Sequence, residues 1–250
     1  MQVIVNNLAT TYVDAGKGKV ILILHGWGDQ ADGLKQLRAD LSEEYRVIAP
    51  DLPGFGATEK PTSAWGLTDY AEFMNHFLGK LKIEETYAII GHSNGGAIAI
   101  RGVGEGLLKT DRLILLASSG VRSEYRGRQK ALRLIAKTGK VLTSPLPARS
   151  KKKLKSKVYS AIGSDMLVAE HMQDTFKKVV TDDVQSSAGN IKIPTLLIYG
   201  EQDKTTPKRF GGLLSGQISG SRLTIIPDAG HFAHLDQPSL VEEKIKGFLK

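Results

Sequence analysis

The sequence predicts an α/β protein with a mostly parallel central sheet flanked by helices and one inserted helical segment. Short, almost wholly apolar runs recur along the chain and alternate with segments of helical periodicity. Continuous apolar strands are typical of a parallel sheet that is buried on both faces. Residues 119–187 interrupt the alternation with helical patterns of their own, which predicts an insertion. We therefore expect a core domain of residues 1–118 and 188–250 and an insertion of residues 119–187.

Six apolar runs are predicted as the main strands of this sheet. Each run has the length of a strand and too few residues for a helix that crosses the core. They are residues 20–24, 45–50, 86–91, 112–117, 194–200 and 222–227. Residues 3–5 and 10–13 predict a further short pair of strands at the start of the chain.

Helical spacing predicts two of the helices that flank the sheet. In residues 69–81 the apolar side chains recur on one face, and Thr68 precedes them as a candidate cap. Residues 239–249 show the same spacing. A chain of 250 residues with a hydrophobic fraction of 41% is long enough to bury one sizeable core around such a sheet.

The composition excludes several kinds of site and location. The chain has no cysteine, which excludes disulfides, cysteine-based zinc sites and a cysteine nucleophile. No apolar run approaches the ~20 residues that a membrane-spanning helix needs, so we expect no transmembrane segment. The first residues lack the basic and long apolar regions of a secretory signal, and we expect a cytoplasmic protein.

The basic excess of the chain lies in one segment. The formal net charge is +8, but residues 119–187 hold 15 basic and 6 acidic side chains, so the remainder carries −1. A solvated helix face is one interpretation of this segment. The other is an acidic partner, namely a phosphate-bearing acyl carrier, an anionic surface or an anionic substrate. We recognise no nucleic-acid-binding module and expect no specific nucleic acid partner.

The stretch Gly91-His92-Ser93-Asn94-Gly95 follows an apolar strand and precedes a run of small residues. A Gly-x-Ser-x-Gly pattern between a strand and a helix is typical of a nucleophile elbow, which holds a serine hydroxyl at the carboxyl edge of the sheet. The glycines are needed because the strand and the helix nearly touch at this turn. We expect Ser93 to be the nucleophile and to have a strained backbone.

Serine is a poor nucleophile unless a base accepts its proton, and His231 is the predicted base. His231 comes just after the last predicted strand, at the same edge of the sheet as the elbow. His234 is the local competitor, and we interpret it as structural or exposed. His25 and His92 adjoin glycine turns and are interpreted as braces of the backbone. His76 and His171 have no motif around them.

The base needs a carboxylate to orient its ring, and Asp203 is the predicted one. Asp203 follows the strand of residues 194–200 and so lies at the same edge of the sheet. Asp228 is near His231 in sequence only, and Asp51 lies in a glycine-rich turn that it is expected to brace. The chain order serine, aspartate, histidine is that of the α/β-hydrolases.

Two backbone N–H groups are predicted to stabilise the oxyanion. That of Asn94 lies at the start of the helix after the elbow, where the helix dipole favours negative charge. That of Trp27 belongs to the loop after the strand of residues 20–24. Gly26 and Gly28 are expected to let this loop approach Ser93.

Together these stretches resemble the α/β-hydrolase superfamily. The similarity covers nearly the whole chain outside the insertion and rests on five motifs in order, LHGWG, DLPGFG, GHSNGG, GEQDKTTP and DAGHFAHLDQP. The resemblance implies an α/β-hydrolase fold with Ser93, Asp203 and His231 as a catalytic triad. It also implies that residues 119–187 form a helical lid, or cap, over the active site.

The predicted function is that of a serine hydrolase acting on a carboxylic ester or thioester through an acyl-enzyme. Two alternatives stay open, namely hydrolysis of a C–C bond in a diketone by the same triad, and a non-catalytic scaffold whose basic lid docks an acidic partner. A serine nucleophile argues against haloalkane dehalogenases and epoxide hydrolases, which use an aspartate. The expected substrate is a small acyl-bearing molecule, and we expect no metal and no organic cofactor.

Overall fold

The computed structural model describes residues 1–121 and 169–250, and in this part of the chain eight strands form one sheet. The strands are β1 (Gln2–Val5), β2 (Leu8–Ala15), β3 (Val20–Leu24), β4 (Arg46–Pro50), β5 (Thr86–His92), β6 (Thr110–Leu116), β7 (Thr195–Gly200) and β8 (Arg222–Ile226). Their order is β1-β2-β4-β3-β5-β6-β7-β8. Pairs that involve β1 or β2 are antiparallel, and all others are parallel. This is the α/β-hydrolase fold that the sequence predicts.

The helices of the described residues cover both faces of this sheet. They are α1 (Lys35–Ser42), α2 (Leu67–Lys80), α3 (Asn94–Gly104), α4 (Gln173–Thr181), α5 (Gln185–Asn190), α6 (Lys208–Gln217), α7 (Ala233–Asp236) and α8 (Pro238–Leu249). Short 3-10 turns at Ala31–Leu34 and Glu170–Met172 precede α1 and α4. No helix of this part of the chain is long and apolar enough to cross a membrane.

The buried side chains of the strands form two cores, one on each face of the sheet. Along β3, Leu22 and Leu24 pack into the core under α2 and α3, while Ile21 and Ile23 pack into the core under α1 and α8. Successive side chains of a strand point to opposite faces, so a strand with a core on both sides must be apolar throughout. This is why the apolar runs of the sequence predict the strands within a few residues.

The predicted cap of α2 is wrong, because α2 starts at Leu67 and Thr68 lies inside its first turn. The carboxylate of Asp69 accepts a hydrogen bond from the backbone N–H of Gly66 at 2.6 Å. A carboxylate in the first turn also interacts favourably with the helix dipole. Asp69 therefore provides the side-chain hydrogen bond at the start of α2 that the sequence predicted for Thr68.

The described end of the insertion is joined to the helix that follows the elbow. Arg101 of α3 pairs with Asp182 at 2.6 Å, next to the end of α4, and donates a hydrogen bond to the hydroxyl of Ser187 at 2.9 Å. Met172 packs into the core under α2 and α3. The rest of the insertion, including most of the basic segment and the apolar residues Met166, Leu167 and Val168, lies outside the described residues.

Candidate active site

The turn between β5 and α3 raises a serine at the carboxyl edge of the sheet. Ser93 has φ 50° and ψ −112°, a conformation that side-chain-bearing residues rarely adopt. A Cβ on Gly91 would lie 2.5 Å from the carbonyl oxygen of Gly95, and one on Gly95 would lie 2.2 Å from that of Leu24. Both positions therefore require glycine, because the strand and the helix touch through their backbones.

Three side chains from distant parts of the chain meet at this turn. Nε2 of His231 lies 3.0 Å from Oγ of Ser93, and Nδ1 of the same ring lies 2.9 Å from Oδ2 of Asp203. Asp203 follows β7 and His231 follows β8, so both come from loops at the carboxyl edge of the sheet. The structure thus brings together the three residues that the sequence analysis singled out.

The environment of Asp203 determines the direction of the hydrogen bonds that join Asp203, His231 and Ser93. The Asp203 side chain is completely buried. Burial by itself raises the pKa of Asp203, but hydrogen bonds from His231 and Thr206 outweigh it and hold the pKa below its ordinary value. The carboxylate is therefore ionised at neutral pH and accepts the Nδ1–H of His231. Nε2 of that ring is left with a lone pair directed at the hydroxyl of Ser93.

Thr206 is a site residue that the sequence analysis missed. Its hydroxyl oxygen lies 2.8 Å from Oδ2 of Asp203, 3.1 Å from Nδ1 of His231 and 2.9 Å from the carbonyl oxygen of Ala117. The backbone N–H groups of Thr205 and Thr206 donate to Oδ1 of Asp203 at 2.7 and 2.9 Å. A threonine soon after an aspartate in a turn is a local hydrogen-bonding pattern that could have indicated this role.

The loop after β3 lies directly against the elbow. A Cβ on Gly26 would be 3.3 Å from the Cβ of Ser93, and Gly28 has a φ of 74° that favours glycine. Trp27 lies between these two glycines, and its ring contacts that of Phe55 with centroids 4.8 Å apart. Asn94 is the first residue of α3, so its N–H has no acceptor within the helix.

A cavity of about 320 Å³ opens beside Ser93. Its described lining is formed by the loop after β3, the elbow, and the segment around His231, and includes Trp27, Asp29, Phe232 and Leu235. Phe176 of α4 is not in this lining, and its ring packs against that of Trp27 with centroids 5.1 Å apart.

The other predicted braces contact the backbone around the site. Nε2 of His92 lies 3.1 Å from the carbonyl oxygen of His231, and burial holds the pKa of His92 well below its ordinary value. His25 accepts a hydrogen bond from the N–H of Leu52 at 2.8 Å. Asp51 accepts a hydrogen bond from the N–H of Ala57 in its own turn at 2.9 Å and one from the N–H of Ala31, in the 3-10 turn after β3, at 2.8 Å.

The remaining candidates do not reach Ser93. His234 is buried and packs its ring against His92, with centroids 4.9 Å apart. His76 contacts the Asn6 side chain, His171 contacts the Gly54 carbonyl, and Asp228 accepts a bond from Gln202. Within residues 1–121 and 169–250, no group of three or more acidic or histidine side chains is arranged to hold a metal ion.

Comparison with known proteins identifies relatives of this chain. The sequence model of the "Alpha/beta hydrolase family" matches residues 21–244. A 2-hydroxy-6-oxo-6-(2'-aminophenyl)hexa-2,4-dienoic acid hydrolase of Metapseudomonas resinovorans is 26% identical over 92% of this chain and 83% of its own. A pimeloyl-[acyl-carrier protein] methyl ester esterase of Pectobacterium carotovorum subsp. carotovorum is 25% identical over 96% of this chain and 99% of its own.

A solved structure shares the fold over nearly the whole chain. An esterase from Exiguobacterium antarcticum superposes with a TM-score of 0.78 and is 21% identical, covering 99% of this chain and 98% of its own. At this level of identity the similarity is one of fold.

Proposed function

Because the chain belongs to the alpha/beta hydrolase family and is a hydrolase, we propose that it is a serine hydrolase of carboxylic esters or thioesters that works through an acyl-enzyme. The observation that carries this proposal is the unbroken line of contacts from Ser93 through His231 to Asp203, at 3.0 and 2.9 Å. Such a line is what a serine needs in order to lose its proton as it attacks a carbonyl.

The proposed reaction has two halves that use the same three side chains. Oγ of Ser93 attacks the carbonyl carbon while Nε2 of His231 accepts the hydroxyl proton. His231 then gives this proton to the departing alcohol or thiol, and the acyl group stays on Ser93. In the second half, Nε2 accepts a proton from water as the water oxygen attacks the acyl carbon. The imidazolium then returns this proton to Oγ of Ser93 as the bond between Oγ and the acyl carbon breaks and the acid leaves. Asp203 stabilises the imidazolium that forms in each half.

The N–H groups of Trp27 and Asn94 are the proposed donors to the oxyanion. The close approach of Gly26 to Ser93 and the free helix start at Asn94 support this assignment. Removal of one such donor typically costs about 3 kcal/mol of transition-state stabilisation.

Hydrolysis of a C–C bond is the second candidate function. It is supported by the 26% identity to the hexadienoic acid hydrolase over 92% of this chain. The pimeloyl-[acyl-carrier protein] methyl ester esterase, 25% identical over 96% of this chain, supports ester hydrolysis to a similar degree.

We also propose that residues 119–187 form a lid whose basic side chains dock an acidic acyl carrier outside the cavity. The support is the charge of the segment, which has 15 basic and 6 acidic side chains. Replacement of Lys151, Lys152 and Lys153 by glutamine should raise KM for a carrier-bound ester and leave that for a free ester unchanged. Equal values for both proteins on both substrates would contradict this role.

The test of the proposed function is hydrolysis of p-nitrophenyl esters of graded chain length by the wild type and Ser93→Ala. We expect the substitution to lower kcat by about 10⁴-fold or more without changing the circular dichroism spectrum. A fluorophosphonate probe should label the wild type at Ser93 and leave Ser93→Ala unlabelled.

The matched controls address the identity of the base. His231→Ala should lose activity as Ser93→Ala does, whereas His234→Gln should keep most of it, because His234 does not contact Ser93. A fully active Ser93→Ala protein would exclude the mechanism. A wild type that neither turns over esters nor reacts with the probe would favour the scaffold interpretation.

A further inference from the structure

The described lining of the cavity beside Ser93 carries a negative charge. Among its described lining residues, Asp29 has the one formally charged side chain. The remaining described lining is glycine, serine, threonine, histidine and apolar side chains. Within the described lining, a substrate that reaches Ser93 therefore meets one fixed charge, the carboxylate of Asp29.

The carboxylate of Asp29 is held in place at the cavity wall. Oδ1 accepts a hydrogen bond from the backbone N–H of Gln30 at 2.8 Å. A Cβ on Gly33 would lie 2.1 Å from Oδ2 of Asp29, so the carboxylate rests directly over the bare Cα of that glycine. Gly33 lines the same cavity. The position of the charge is thus held by the local backbone.

No cation of the described residues neutralises this carboxylate. Lys35, the basic residue closest to Asp29 in sequence, forms no ion pair with it in the described residues, and Arg38 pairs with Asp32 at 3.1 Å. The imidazoles next to the site, those of His92 and His234, are buried, and burial lowers the pKa of both. Both imidazoles are therefore uncharged at neutral pH and do not neutralise Asp29.

Two aromatic residues line the same cavity as the Asp29 carboxylate. Trp27 is two residues before Asp29 and lines the cavity, as does Phe232, whose ring is 46% exposed. A carboxylate beside aromatic faces is a combination that favours alkylammonium groups, through ion pairing and cation–π attraction. An anionic group in the same space would meet repulsion and lose its hydration.

We propose that Asp29, with Trp27 and Phe232, forms a subsite for an ammonium group of the substrate. The inference rests on the proposed function, since the subsite discriminates only among molecules that react at Ser93. It narrows the substrate to an ester or thioester whose group near the scissile carbonyl is cationic. It also disfavours the acidic substrates that C–C hydrolysis of a dienoate would require.

The experiment compares esters that differ in charge and little in shape. Butyrylcholine, its uncharged 3,3-dimethylbutyl isostere and the anionic 3-butyryloxypropanoate vary the alcohol side. Esters of p-nitrophenol with a trimethylammonio-, a tert-butyl- and a carboxylate-terminated acyl chain vary the acyl side. The measured quantity is the ratio of kcat/KM for the cationic ester to that for the anionic ester.

We expect this ratio to be at least about tenfold higher in the wild type than in Asp29→Asn for one of the two series, because the charges then lie within one Debye length. Asparagine keeps the hydrogen bond to Gln30. Asp32→Asn is the matched control, because it changes the net charge equally and lies outside the cavity lining. Its ratio should equal that of the wild type.

The outcomes separate this inference from the function on which it rests. Turnover of the uncharged esters with the same charge ratio in the wild type and Asp29→Asn would overturn the subsite alone. A similar change in Asp32→Asn would overturn it too, because the effect would be one of net charge. No Ser93-dependent turnover of any ester would overturn both the proposed function and the subsite.

Discussion

The hydroxyl oxygen of Thr206 lies 2.8 Å from Oδ2 of Asp203, the carboxylate oxygen that also accepts the Nδ1–H of His231. Thr206 is 3% exposed, so this contact is made away from water. A hydroxyl that donates to a buried carboxylate stabilises its ionised form. Thr206 is thus positioned to act on the base through Asp203, without touching a substrate itself.

Thr206→Val should lower kcat/KM by about tenfold or more, because valine keeps the shape and removes a hydrogen bond to a charged group. The pKa of Asp203 should rise when this donor is lost, since Thr206 is one of the groups that lower it. A more basic carboxylate holds the imidazolium more tightly, so the acid limb of the kcat/KM profile should move to higher pH.

Thr206→Ser is the matched variant for this prediction, because serine restores the hydroxyl. It should recover most of the activity and return the acid limb to its original position. A Thr206→Val protein whose pH profile coincides with that of the wild type would show that the hydroxyl has only a packing role.

Asp203→Asn should lower kcat by about 10⁴-fold and leave the fold intact. The amide cannot accept the Nδ1–H of His231 in the way that the carboxylate does, so the ring loses the tautomer that directs its lone pair at Ser93. Steady-state kinetics with a p-nitrophenyl ester measures the loss, and thermal unfolding monitors the fold. Less than a tenfold loss of kcat would mean that Asp203 does not orient the base.

Gly95→Ala should destabilise the protein strongly, because the new Cβ would lie 2.2 Å from the carbonyl oxygen of Leu24. Gly247→Ala is its control, since a Cβ there has no atom within 4 Å and lies in α8. That substitution should raise the free energy of unfolding by about 0.5–1 kcal/mol through the better helix propensity of alanine. Urea unfolding of both variants measures the contrast, and similar stabilities would contradict the close backbone contact at the elbow.

The stability of the protein should fall as the pH is lowered below the ordinary histidine pKa of 6.5. Burial holds the pKa of His92 well below that value in the folded protein. Below pH 6.5 the unfolded chain therefore binds a proton at His92 that the folded chain does not, which favours unfolding. Each such histidine contributes a slope of about 1.4 kcal/mol per pH unit.

His92→Gln tests this origin of the acid sensitivity. The wild-type free energy of unfolding should drop more steeply between pH 6.5 and 5 than that of the variant, by up to one proton's slope. Chemical denaturation at several pH values gives both slopes. Parallel curves for the two proteins would mean that His92 is not the group responsible.

The sequence by itself determined the sheet and the candidate reactive groups. A strand with a core on both faces must be apolar throughout, so the strands were readable as continuous runs, as with Ile21–Leu24 of β3. The elbow was readable because a turn in which two backbones touch admits only glycine at Gly91 and Gly95. Ser93, Asp203 and His231 could be expected to meet, because each follows a strand at the same edge of a parallel sheet.

Only the tertiary structure decided which groups tune that site. The approach of Thr206 to His231, the place of Asp29 in the cavity lining and the brace from His92 to the carbonyl of His231 depend on contacts between loops. His92 and His231 are 139 positions apart. Local sequence also suggested Thr68 as a cap, where the structure uses Asp69. Periodicity reports which face of an element is buried. The direction of a loop side chain, and the charge it meets, are determined by segments that meet only when the sheet has formed.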